Sequence, residues 1–155
     1  MGNGRKRLDW PQTAINLAFA IAQSRSEDPY IQVGAVIIKN DSSMLVGYNG
    51  APPGVDIDWS DRDSRRKYVL HAEANVLNYA KPKEVRFLAC THLPCKECMK
   101  LIALKSISTV YYSKVLHNYD PHETFKLAET FGIHLIQKDE KNEIEDPKTE
   151  QQEQG

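Results

Sequence analysis

Val33-Gly34-Ala35-Val36-Ile37-Ile38, Asn40-Asp41-Ser42-Ser43 and Met44-Leu45-Val46-Gly47-Tyr48 follow one another as an apolar run, a polar turn and a second extended run. Six small or branched apolar residues in succession predict a strand buried on both faces, and residues 40–43 are of the types that turns favour. The stretch is therefore a hairpin near the head of a sheet. Upstream, Asp9 can cap a helix with Pro11 in its first turn; Ile15, Ala18, Phe19 and Ala22 then recur at helical spacing, which predicts a helix over 10–25. Downstream, Asn49-Gly50-Ala51-Pro52-Pro53-Gly54 breaks regular structure and the polar run to Lys67 predicts a long loop. A helix is expected over 71–79, with Ala72, Val76 and Tyr79 along one side, then a strand at 85–90, a helix from Pro94 to about 104 and a strand at 109–113. Asp120-Pro121-His122-Glu123 has the form of a capping box, and Gly132 ends the helix it opens before a last strand at 133–136. A hairpin followed by crossovers predicts an α/β domain of three layers, α/β/α, around a five-stranded mixed sheet.

With 155 residues, 41% of them hydrophobic and 26% charged, the chain suits one domain, expected over 1–137. From 138 to 155 seven acids face three lysines, so this segment carries −4 of a net −1 and leaves +3 on the body. A segment so polar predicts a disordered acidic tail. The balance gives no general attraction to polymeric nucleic acid, and no apolar run approaches a membrane span. Arg5-Lys6-Arg7 is followed by Leu8-Asp9-Trp10-Pro11 and not by a signal-peptide core, so the cytoplasm is the expected compartment; three cysteines give no disulfide framework.

The chemistry lies in His71-Ala72-Glu73 and, twenty-one residues after Glu73, Pro94-Cys95-Lys96-Glu97-Cys98. His71, Cys95 and Cys98 make three zinc ligands, and three is the number a catalytic zinc keeps while a fourth position stays free for water. Glu73 is the carboxylate placed to exchange protons with that water. A Cys-x-x-Cys pair alone could be a redox couple or half of a zinc ribbon. No second pair completes a ribbon, and Pro94 and its surroundings do not make a thioredoxin-like unit. His92 competes with His71 as a ligand but has no carboxylate two residues on, and Cys90 reads as a small core residue. Pro94 at a helix start would put Cys95 and Cys98 one turn apart on one face.

The H-x-E and P-C-x-x-C pattern is the mark of zinc nucleobase deaminases, and the chain resembles the cytidine deaminase superfamily from about Trp10 to Ile136. Within it, Asp28-Pro29, Gln32-Val33-Gly34-Ala35, the segment 47–54 and Lys67-Tyr68-Val69-Leu70-His71 are similar to the deoxycytidylate (dCMP) deaminases. That resemblance implies a cytidine-deaminase-like fold with one catalytic Zn2+ per subunit, and hydrolysis of dCMP to dUMP and ammonia, supplying thymidylate synthesis. Glu73 would take the water proton, deliver it to N3 of the ring and later help the amine leave as ammonia. Ala72 would touch the base edge and Asn49 the sugar, although Asn-Gly is also a turn pair whose Asn tolerates positive φ. Pro94 joins the substrate-binding set. For the 5′-phosphate the candidates are Ser24, Arg25, Arg65, Arg66 and Lys67, each equally readable as surface charge. The resemblance further implies a homo-oligomer, commonly a hexamer, with dCTP and dTTP acting through Gly50, Gly54 and the loop between them. Two other readings stand beside it: a zinc deaminase of cytidine or of adenosine in tRNA, and a non-catalytic zinc protein that binds nucleotides.

Overall fold

The computed structural model describes residues 4–141. Its elements are α1 (Trp10–Arg25), β1 (Gly34–Lys39), β2 (Met44–Tyr48), α2 (Arg62–Tyr68), α3 (Ala72–Leu77), β3 (Val85–His92), α4 (Lys96–Leu104), β4 (Thr109–Lys114), α5 (His122–Phe131) and β5 (His134–Gln137). The strands form one mixed sheet in the order β2-β1-β3-β4-β5. β1 lies antiparallel to both β2 and β3, whereas β3, β4 and β5 run parallel.

Alternation along the strands explains the three layers. Ala35, Ile37, Leu88, Cys90 and Val110 face one way, against Ala72, Val76, Met99, Ile102 and Ala128 of α3, α4 and α5. Val36, Ile38, Phe87 and Ala89 face the other way, against Ala14, Ile15, Ala18 and Phe19 of α1. Every side chain of β1 up to Ile38 is therefore buried, as an unbroken apolar run requires. Two glycines allow helices to approach the hairpin. A Cβ on Gly34 would stand 2.0 Å from the Ala18 carbonyl oxygen, and one on Gly47 2.8 Å from that of Ala72.

Several boundaries differ from expectation. The expected loop from 54 to 67 contains α2, started by the Asp61 side chain, which accepts a hydrogen bond from the Asp63 N–H. α3 stops at Leu77, so Tyr79 lies outside it and exposed instead of on its buried side. Cys95 is the N-cap of α4, one position before the helix proper, because the extended backbone after Pro94 delays the first turn. Asp120 makes no cap: its carboxylate accepts from the His122 N–H, and Pro121 takes the N-cap position. Gly132 does end α5, in the left-handed conformation.

The first residues of the expected tail lie against the body. The Lys138 N–H donates to the Tyr112 carbonyl, Gln12 donates to the Asp139 carbonyl, and Asn16 exchanges two bonds with the Lys141 backbone. The rest of that tail, from 142, lies outside the described residues. Among the described residues no helix is long and apolar enough to cross a membrane.

Candidate active site

Two helices carry the expected ligands to the end of the sheet where β3 and β4 finish. His71 caps α3, and its approach is fixed by Leu70, which exchanges backbone hydrogen bonds with Gly50 just beyond β2. Asn75 adds a bond from its side chain to the Tyr48 carbonyl. Cys95 and Cys98 open α4, and the preceding turn is held by a 2.7 Å bond from the Leu93 N–H to the Lys114 carbonyl.

His71 Nδ1 lies 3.5 Å from Cys95 Sγ and 3.4 Å from Cys98 Sγ, and the three ligand atoms all fall within 4.8 Å of one another. Tetrahedral zinc with Zn–S of about 2.3 Å and Zn–N of about 2.0 Å separates sulfur from nitrogen by about 3.5 Å, so the spacing and the donor set both fit this ion. The Cys95 thiol is pulled down to about 3, first by the hydrogen bond from Cys98 and then by His71. Cys98 is pushed up in turn, keeping the proton of the pair. The same Cys95 sulfur holds the His71 imidazole above its ordinary value. Glu73 is 4% exposed, with Oε2 3.4 Å from Cys98 Sγ, and burial raises its carboxyl. A carboxyl so placed can hold a proton and release it, as a proton carrier must.

His71, Cys95 and Glu73 line a cavity of about 170 Å³, with Ala72, Asn49, Asp28 and Ile31 among its walls. Asn49 is buried at the end of β2 without positive φ, so the turn reading fails. Its side-chain oxygen accepts from Ser26 Oγ and from the Val33 N–H, and its amide donates to the Ile31 carbonyl. Asn49 thus fastens the 26–33 segment, one wall of the cavity, and one of its amide hydrogens has no partner among the described residues. Cys90 is fully buried on β3, its thiol pushed up by burial. His92 is not among the clustered ligand atoms but lines the same cavity.

The phosphate candidates separate. A second cleft, about 530 Å³, shares Ile31 and Leu116 with the first and is lined by Arg62, Arg65, Arg66, His117 and Tyr119. Arg65 lies 4.1 Å above the Tyr30 ring and donates to the Trp59 carbonyl. Arg25 lies over Tyr48 and Lys67 over Tyr68; neither they nor Ser24 line either cavity. Gly50 lines a third recess of about 180 Å³ with Glu27, Ala51 and Tyr79, whereas Gly54 stands at positive φ in the exposed loop. Pro94 contributes through its carbonyl, which accepts from the buried Thr124 hydroxyl. Sequence reasoning missed Arg62; reading Asp61 as an N-cap would have set Arg62, Arg65 and Arg66 at helical spacing on one face.

Residues 8–114 match the family described as the cytidine and deoxycytidylate deaminase zinc-binding region. The chain is 35% identical to mouse deoxycytidylate deaminase over 138 residues, covering 78% of this chain and 76% of that one. It is likewise 35% identical to the human deoxycytidylate deaminase over 125 residues, 73% and 70% of the two chains. Its fold is similar to that of the dCMP deaminase of cyanophage S-TIM5 in complex with dCMP and dUMP, with a TM-score of 0.66, 25% identity, and coverage of 82% and 95%.

Proposed function

The chain belongs to the family of cytidine and deoxycytidylate deaminases, and from that premise we propose that it hydrolyses dCMP to dUMP and ammonia, supplying dUMP for thymidylate synthesis. The observation that carries this reading is the buried Glu73 carboxyl beside a cluster of three metal ligands, two of which, His71 and Cys95, line the same cavity as Glu73. His71, Cys95 and Cys98 would hold one zinc ion per chain, and that ion, when bound, would acidify a water as the nucleophile for C4 of the pyrimidine.

Glu73 takes one proton from the water and delivers it to N3, then takes the second from the hydroxyl now on C4 and passes it to the amine, so that the C4–N bond breaks and ammonia leaves. Ala72 opens α3, where a backbone N–H lacks an intrahelical acceptor and can meet the base edge. Asn49 offers its remaining amide hydrogen to the sugar while its other bonds hold the wall in place. The phosphate goes to the second cleft, where Arg62 and Arg66 are exposed and without ion pairs among the described residues. Arginine forks suit phosphate oxygens, and Arg25 and Lys67 line neither cavity, which supports this assignment over them. dCTP and dTTP are assigned to the recess beside Gly50, and a homo-oligomer, a hexamer by resemblance, working in the cytoplasm completes the reading.

Ammonia release from cytidine, deoxycytidine, CMP, dCMP and dCTP, measured in parallel, tests it. dCMP is expected to be preferred over deoxycytidine by several orders of magnitude in kcat/KM. Equal values for the two would move the assignment to a nucleoside deaminase, with the zinc chemistry unchanged.

A further inference from the structure

His92 ends β3 with its ring in the wall of the cavity and, among the described residues, one ring hydrogen bond, 2.8 Å between Nδ1 and the Thr91 hydroxyl. Thr91 decides which nitrogen carries the proton. Its hydroxyl is completely buried and accepts from the Gly34 N–H at 3.1 Å. A buried hydroxyl must still place its own hydrogen, and the described residues offer it no acceptor other than His92 Nδ1. Nδ1 is therefore the acceptor and Nε2 carries the hydrogen. Burial, with Lys114 beside it on β4, also disfavours the charged ring. His92 presents the cavity with a neutral N–H donor whose orientation is set from behind by two buried groups, and no acceptor among the described residues meets that N–H.

Resting on the deaminase reading, we infer that His92 is a specificity-determining residue whose Nε2–H donates to an acceptor oxygen of the bound nucleotide. Such an oxygen occurs on the pyrimidine ring, the sugar and the phosphate; the amine to be removed is a donor and would be turned away. The residue contributes by holding the substrate, since it is neither a metal ligand nor in bonding contact with Glu73.

The test compares the wild-type holoenzyme with His92→Leu and His92→Gln, glutamine restoring an N–H donor near the position of Nε2. Leucine should keep one zinc per chain and an unchanged melting temperature while kcat/KM for dCMP falls about ten- to a hundredfold, mostly through KM. Glutamine should recover most of that loss, which a purely structural role for the ring would not produce. A loss confined to dCMP assigns the acceptor to the phosphate, and an equal loss on deoxycytidine assigns it to ring or sugar. A leucine variant within twofold of wild type, or a glutamine variant no better than leucine, overturns the inference. Should leucine unfold the chain, nitrogen NMR of wild-type His92 decides: Nε2 must carry the proton and shift on adding dUMP, and protonation at Nδ1 or no shift overturns it. Wild-type protein inert toward every pyrimidine would instead count against the deaminase reading.

Discussion

The two ends of the sheet are built on different principles. Where β3, β4 and β5 begin, the connections are tight: Ser42, Lys83, Ser106 and Gly132 all stand at positive φ. Their polar groups are satisfied by one another. Asn40 bonds to the Lys83 and Glu84 backbones, Arg86 to Asn40 and Ser42, the Lys83 N–H to the Lys105 carbonyl, and Lys105 Nζ to the Ala80 carbonyl. At the opposite end, strands run into caps and loops whose polar groups face a cavity. Among the described residues, the Nε2–H of His92, one amide hydrogen of Asn49 and the guanidinium groups of Arg62 and Arg66 have no hydrogen-bond or ion-pair partner. One end closes the fold and the other leaves donors unused, which is how a stable scaffold presents a reactive site.

Substitutions at the open end should therefore remove activity and leave stability nearly intact. Cys98→Ala should show the largest effect, because two remaining ligands do not make a closed zinc site. Elemental analysis should find the metal lost and ammonia release abolished; full zinc retention would contradict the ligand assignment. Glu73→Gln comes next, with zinc and nucleotide binding kept and turnover lower by at least about a hundredfold, the usual scale of general acid–base catalysis. Near-normal turnover would remove Glu73 from the role of proton carrier. Arg66→Ala should lower kcat/KM for dCMP by about tenfold, the worth of one charge-assisted hydrogen bond, and leave deoxycytidine unchanged. Equal losses on both substrates would mean that the second cleft does not hold the phosphate.

The same contrast decides what was legible in the sequence. Strands β1 and β2, helix α1 and the three metal ligands were readable because each rests on a local signal: an unbroken apolar run, a helical period, or ligand types at fixed spacing. The fifth strand and the mixed sheet followed from the order of elements. What escaped depends on contacts far apart in sequence. α2 has no buried residue, so no apolar period marked it, and its start is set by Asp61 alone. Sequence does not tell that Arg25 and Lys67 lie over Tyr48 and Tyr68, outside the lining of both cavities. His92 looked like a weak ligand candidate, and its place emerges only when Thr91 and Gly34, fifty-seven positions apart, are bonded together.

At the closed end the signs reverse: substitutions should alter stability and spare kcat/KM. Lys83 is a non-glycine residue at φ 71° with no side-chain partner among the described residues, a conformation that costs about 1 kcal/mol or more. Lys83→Gly should therefore stabilise the chain by about 0.5–1 kcal/mol, read as a rise in melting temperature, with dCMP turnover unchanged. A lower melting temperature would show that the turn depends on the lysine side chain.

The smallest effect is expected in the hairpin turn. Asp41 Oδ1 accepts from both the Ser43 N–H, at 2.9 Å, and the Ser43 hydroxyl, at 2.6 Å. The hydroxyl bond, with the backbone bond behind it, holds the carboxyl below its ordinary value of 3.8. A carboxyl lowered on folding stabilises the native state above its unfolded value, and that contribution disappears as pH falls through the folded one. Asp41→Ala should thus lower the melting temperature slightly at neutral pH, and the gap from wild type should narrow as the pH is taken below 3.8. The site is fully exposed, so added salt should shrink the ionic part of the gap, and kcat/KM should not change, since the turn lies at the far end of the sheet from Glu73. A gap that widened in acid would mean that Asp41 works against folding as an anion, and a change in kcat/KM would show that the two ends of the sheet are coupled.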